Sequence, residues 1–291
     1  MRILALVGVL LACACAWSWA GEAEVKQSPW SDPDAKDVEK LDKEMHAQLS
    51  QEFSYKRVGP WLMASDMEPE ALERFANSTI AYFAAGIQRQ LFTKHARSEA
   101  VKILLFKDAE SYIFWNQKLF SEKPTTPYGY FSRTKRALVM NIGTGGGTLL
   151  HEMVHAMAEE DFPLIPTWLN EGLGSLYEAS NMDRSGRVVG VANWRLNGLL
   201  ADLAKGKQVG LADLFKTDSA NFYGESRGAN YATSRYLMQY LQKEGKLEAF
   251  YTSIRDGKFK DGGEALRAVF ENKRTLDEIE KDLFAWVKTL K

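Results

Sequence analysis

Residues 145–157 read Gly-Gly-Gly-Thr-Leu-Leu-His-Glu-Met-Val-His-Ala-Met, and residues 163–172 read Pro-Leu-Ile-Pro-Thr-Trp-Leu-Asn-Glu-Gly. The first stretch has the composition of a helix: Met153, Val154, Ala156 and Met157 can pack, Thr148 can cap its start, and Gly145 to Gly147 allow a tight turn before it. Positions four apart on a helix differ by only about 40° around the axis. His151 and His155 therefore project from one face toward one point, as a tetrahedral zinc ion requires of two nitrogen ligands. Glu152 stands one position further round, where it reaches water beside such an ion without ligating it. A general base is needed there.

The second stretch supplies a third ligand. Pro163 and Pro166 interrupt the chain, so a new helix starts near Thr167 and runs antiparallel to the first. That arrangement returns Glu171, sixteen positions after His155, over the two imidazoles. A histidine at position 161 would have completed a three-histidine set instead, but Asp161 stands there. The expected cofactor is one zinc ion per chain on His151, His155 and Glu171, with Glu178 or Asp161 in reserve as the third ligand.

Outward from this pair, the pattern divides the chain. Val38, Leu41, Met45, Leu49 and Phe53 recur at helical spacing, as do Phe75, Thr79, Phe83, Ile87 and Leu91. Short strands are predicted at Trp61–Ala64 and Val101–Phe106, with a helix over 109–119. Tyr128–Phe131 and Ala137–Asn141 flank a polar stretch and predict a hairpin. Ala137–Asn141 is also the candidate edge strand for pairing with an extended peptide. After residue 148 the pattern turns almost wholly helical, and Thr275 with Glu278 forms a capping box before the last helix. The predicted class is α+β: a linker at 21–36, a small mixed α/β lobe at 37–148 with an edge strand, and a mainly helical lobe at 149–291 carrying the metal helix at the junction.

Arg2 followed by the apolar or small residues 3–15, with Ser18 and Ala20 before a polar stretch, predicts a signal peptide over residues 1–20. The mature chain is then secreted or periplasmic and begins at Gly21. Two rivals are a membrane anchor and a lipoprotein, since Leu10-Leu11-Ala12-Cys13 resembles a lipobox. A membrane partner is expected only if Cys13 is lipidated. Cys13 and Cys15 are the only cysteines, so a mature chain starting at Gly21 has no disulfide framework. With 37 basic and 38 acidic residues and no basic patch interleaved with aromatics, nucleic acid is not an expected partner. Gly143–Thr148 lacks the lysine ending of a phosphate loop.

Trp168-Leu169-Asn170-Glu171-Gly172 resembles the third-ligand segment of the aminopeptidase N family within the thermolysin-like gluzincins, and the likeness spans roughly residues 137–242. It implies a zincin-like fold and zinc-dependent hydrolysis of peptide bonds in a peptide or protein substrate. Glu152 is then the general base, and Tyr231 in Tyr231-Ala232-Thr233-Ser234 donates to the oxyanion. Tyr223 is the alternative donor. Glu178 matches an acidic position of the same segment and, with Asn170, is expected to orient the ligands from behind. The glutamate that in this family holds a substrate amine has no counterpart, because Val139-Met140-Asn141 runs on into Ile142-Gly143. The chain thus resembles the compact peptidase-MA-like group. A binding or assembly module with the same fold and no catalysis is the competing reading. Arg227 and Arg235, near Tyr231, are either ligands for a substrate carboxylate or helix-surface charge.

Overall fold

A computed structural model describes residues 29–95, 97–259 and 261–290. The predicted signal peptide, the cleavage site and both cysteines lie outside them. The chain is α+β. A five-stranded sheet has the order β1-β2-β3-β5-β4, from Ser54–Val58 (β1), Trp61–Ser65 (β2), Val101–Phe106 (β3), Gly129–Ser132 (β4) and Ala137–Asn141 (β5). The central three strands are parallel, and β1 and β4 are antiparallel at the two edges.

Strand periodicity sorts the side chains between two cores. Trp61, Met63, Ile103, Leu105, Leu138 and Met140 face the larger core, which continues through the helical half of the chain to Val287. Leu62, Ala64, Leu104, Phe106, Ala137 and Val139 face a smaller one, closed by the helices Ala35–Gln48 (α1) and Ala109–Phe120 (α4). Strands buried on both faces read as continuous apolar runs, as residues 103–106 of β3 do. The same reason corrects the expected edge strand. Ala137–Asn141 is buried throughout and sits between β3 and β4. The hairpin partner β4, with its half-buried Tyr130, Phe131 and Ser132, forms the open edge.

Between β2 and β3, Pro69–Arg74 (α2), Phe75–Ala84 and Ala85–Gln90 (α3) follow one another directly, the middle segment being a π-helix. Leu72, Ala76, Ile80 and Ala84 form its buried seam at a constant spacing of four. An α-helix lets a four-residue stripe drift around its axis, and the wider π turn offsets that drift. The seam lies one residue away from the predicted Phe75–Thr79–Phe83 stripe, whose members are half-buried. The first helix also stops earlier than its apolar spacing implied. It ends at Gln48, and Leu49 and Phe53 reach the smaller core from the turn beyond.

The helix that carries His151 and His155 is Gly146–Asp161 (α5), followed by Thr167–Tyr177 (α6). Its N-cap is Gly145 at φ 107°, which places Thr148 inside the first turn and removes it from the capping role expected of it. A two-stranded ribbon, Ser180–Met182 (β6) with Val188–Gly190 (β7), interrupts the helical half. The remaining helices are Arg195–Lys205 (α7), Leu211–Leu214 (α8), Ser219–Phe222 (α9), Arg227–Lys243 (α10), Leu247–Arg255 (α11), Gly262–Val269 (α12) and Leu276–Val287 (α13). The Thr275–Glu278 capping box is formed at α13, an arrangement of about 1 kcal/mol. Among the described residues no helix is long and apolar enough to cross a membrane.

Candidate metal centre

Helices α5 and α6 pack directly against each other, and α6 also packs against α10. The close approach depends on glycine at two points. A Cβ on Gly174 would stand 2.9 Å from His151 Nε2, and one on Gly147 would overlap the carbonyl oxygen of Glu178. The residues after His155 thus matter beyond the ligand itself: Gly174 leaves the space in which the His151 ring lies. A glycine inside a helix costs about 1 kcal/mol relative to alanine, so Gly172 and Gly174 in α6 were a sequence signal of close packing.

His151, His155 and Glu171 come together as expected, with one donor atom from each within 4.8 Å of the others. Glu171 Oε2 lies 3.2 Å from His151 Nε2 and 3.5 Å from His155 Nε2. Two ligands held about 2.1 Å from one ion at tetrahedral angles stand about 3.4 Å apart, so the spacing fits a small divalent cation. The far nitrogens are occupied. His151 Nδ1 is 3.2 Å from Glu178 Oε2, and His155 Nδ1 is 2.9 Å from Asn170 Oδ1. Each partner fixes its ring so that Nε2 faces Glu171. Glu178 and Asn170 therefore occupy the supporting places expected of them.

Glu178 is held in turn from a segment that sequence reading did not assign to the site. Asn193 Nδ2 donates to Glu178 Oε1 at 2.9 Å, and Arg195 Nη2 is 3.5 Å from the same oxygen. Both residues lie beyond the β6–β7 ribbon, and no local spacing links them to His151. Asp161 goes elsewhere: at the far end of α5 it accepts from the backbone N–H groups of Lys94 and His95, from Tyr251 Oη and from Arg255. It is not part of the ligand group.

Burial by itself lowers the basicity of His151, but its contacts with Glu171 and Glu178 outweigh this and raise its pKa to about 10. For His155, burial is likewise overcome by the charge of Glu171, and its pKa is raised. Glu171 shows the converse. Burial pushes its carboxyl up, yet the two histidines hold it well below the usual carboxylate range. The cluster therefore favours positive charge, and the group could hold a metal ion.

Glu152 stands next to the ligands without joining them. The backbone N–H of Phe131, on the edge strand β4, donates to Glu152 Oε2 at 2.9 Å. Across the site Tyr223 Oη donates to Glu171 Oε1 at 2.5 Å. Tyr231 packs near it, ring centroids 6.4 Å apart. Burial first, and then the negative charge of Glu171, pushes both phenols above the usual tyrosine range. Both remain donors at neutral pH. The structure thus brings both candidate tyrosines to Glu171, Tyr223 at 2.5 Å and Tyr231 also within hydrogen-bonding reach. Arg235 is neither a surface charge nor available to a ligand. It is fully buried, with Gln239 Oε1 2.7 Å from its Nη1 and the carbonyl of Val191 as a second acceptor.

Fold and site together define an α+β chain whose helix pair carries a buried two-histidine, one-glutamate group able to hold a metal ion. A sequence-family profile described as a protein of unknown function, DUF1570, matches residues 147–260. That is less than half of the chain, and it contains His151, His155, Glu171, Glu178, Tyr223 and Tyr231. No curated protein matches the chain.

Proposed function

We propose that this protein is an exported zinc-dependent peptidase of the gluzincin type. The observation that carries the reading is Glu152: a carboxylate beside a buried His-His-Glu group, held by the backbone of an open sheet edge and outside the ligand set. A purely structural site has no use for a base in that position. His151, His155 and Glu171 would hold the ion, a nitrogen and oxygen donor set that zinc accepts, and zinc when bound supplies Lewis acidity at the scissile carbonyl. An extended peptide would lie along the open edge of β4, adding as a further strand next to Glu152. Glu152 takes a proton from the attacking water and passes it to the leaving amine nitrogen. Tyr231, with Tyr223 beside it, donates a hydrogen bond to the oxygen that gains charge.

The test combines metal analysis of purified protein with cleavage of a mixed peptide library bearing free and blocked termini. About one zinc per chain and cleavage that is lost in Glu152→Gln support the peptidase. Zinc without cleavage of any peptide, together with a partner that binds wild type and Glu152→Gln equally, would establish a binding or assembly module in its place. Export rests on the first twenty residues. Sequencing of secreted or periplasmic material should read Gly21 first, and a lipidated Cys13 would place the protein on a membrane surface.

A further inference from the structure

The cations around the metal centre are unequally committed. Arg195 ion-pairs with Glu178, and Arg235 is sealed in the core. Arg227 is exposed and has no ion-pair partner among the described residues, yet it is not remote from the site. Its guanidinium carbon lies 5.7 Å from the centroid of Tyr231 and 6.0 Å from that of Tyr223, the two rings that converge on Glu171. It is also the first residue of α10, where the helix dipole disfavours a cation, and the N-cap Ser226 makes no side-chain bond there. Both local features favour an anion beside Arg227. Charge points the same way. With a divalent ion in place, Glu152, Glu171 and Glu178 are balanced by that ion and Arg195, and Arg227 is left over.

We propose that Arg227 recognises a carboxylate of the peptide substrate, which makes the protein selective for peptides that place an anionic group close to the scissile bond. This rests on the peptidase reading. The Tyr231 hydroxyl engages the guanidinium on one side, and its solvent-exposed side is left to meet a carboxylate through charge-assisted hydrogen bonds. The distances from Arg227 through the tyrosines to Glu171 place that carboxylate roughly one to three extended residues from the bond cleaved. A free C-terminus supplies such a group in every short peptide, and an aspartate or glutamate side chain supplies it in some.

The experiment measures binding in a Glu152→Gln background by calorimetry, so that turnover does not enter. Three forms of one peptide are compared: free C-terminal acid, C-terminal amide, and amide with a glutamate near the end. The acid should bind roughly tenfold or more tightly than the plain amide. Adding Arg227→Ala should remove most of that advantage without changing the thermal midpoint, and Arg227→Lys should keep part of it. Tight binding of the glutamate-containing amide would assign the carboxylate to a side chain, and weak binding would assign it to the terminus. Equal affinities for acid and amide, or an advantage that survives Arg227→Ala, would overturn the proposal and leave the peptidase standing. Failure of wild type to cleave any peptide while the Arg227-dependent preference persists would remove the peptidase and keep the carboxylate site.

Discussion

The two ends of helix α5 each lie against a buried carboxylate, and the two carboxylates are partnered in opposite ways. Asp161 at the C-terminal end accepts from two backbone N–H groups, a tyrosine hydroxyl and Arg255, whose charge offsets its own. Glu171, beside the N-terminal half, faces two imidazole nitrogens that are neutral in their ordinary form. One site is complete with protein groups alone. The other is complete only when protons or a metal ion supply positive charge. A buried carboxylate therefore marks a functional site through what its partners lack, and burial by itself does not separate the two cases.

The comparison breaks most clearly at the carboxylates themselves. Glu171→Ala should abolish stoichiometric zinc binding, as should His151→Ala or His155→Ala, measured by metal analysis of folded protein. Asp161→Ala should instead leave zinc content per folded chain unchanged and destabilise the protein by roughly 1–3 kcal/mol or more, because the backbone N–H groups of Lys94 and His95 and the Tyr251 hydroxyl lose their acceptor while Arg255 is left with Asp256. Full zinc in Glu171→Ala, or loss of zinc in a folded Asp161→Ala, would erase the distinction.

At the His151 end, the proposed peptidase gives Glu152 a task different from that of the candidate ligands. Glu152→Gln should keep zinc and thermal stability and lower turnover by about 10²- to 10⁴-fold. Loss of zinc in this variant would instead place Glu152 among the ligands. The tyrosines come next. Tyr231→Phe should retain zinc and cost on the order of 10² in turnover. Tyr223→Phe should cost less, since its hydroxyl makes the 2.5 Å contact with Glu171 and is the more strongly committed of the two. The reverse order would transfer the donor role to Tyr223.

The smallest expected effect is on pH dependence. In metal-free protein the pKa of His151 is raised from 6.5 to about 10. The stability it contributes is complete below pH 6.5 and is lost as pH rises toward 10. Glu171 is shifted down, so its contribution is present above its ordinary 4.5 and lost as pH falls well below that. The thermal midpoint of metal-free protein should therefore fall on going from pH 6.5 to 10, and bound zinc should remove that fall. Zinc affinity should rise with pH over the same window, because binding displaces protons. A midpoint that is flat in pH without metal would mean that the histidines do not carry the compensating charge.

Chain positions 151–155 and 167–171 determined the helix pair and the three candidate ligands without any tertiary information. A helix holds i and i+4 on one face, and two prolines force the return that brings Glu171 back. The hairpin, the capping box of α13 and the α+β class were legible for the same reason: each depends on contacts only a few residues apart. The open edge was not legible. An apolar run such as residues 137–140 says that two faces are buried, but which strand lies beside it depends on packing against β3, residues 101–106. Nor were Asn193 and Arg195, since their bond to Glu178 joins segments separated by the β6–β7 ribbon. The opposite fates of Arg227 and Arg235, eight positions apart on one helix, were equally hidden. Their spacing is visible in the sequence, but only the tertiary structure brings the Val191 carbonyl, beyond β7, onto Arg235 and leaves Arg227 exposed.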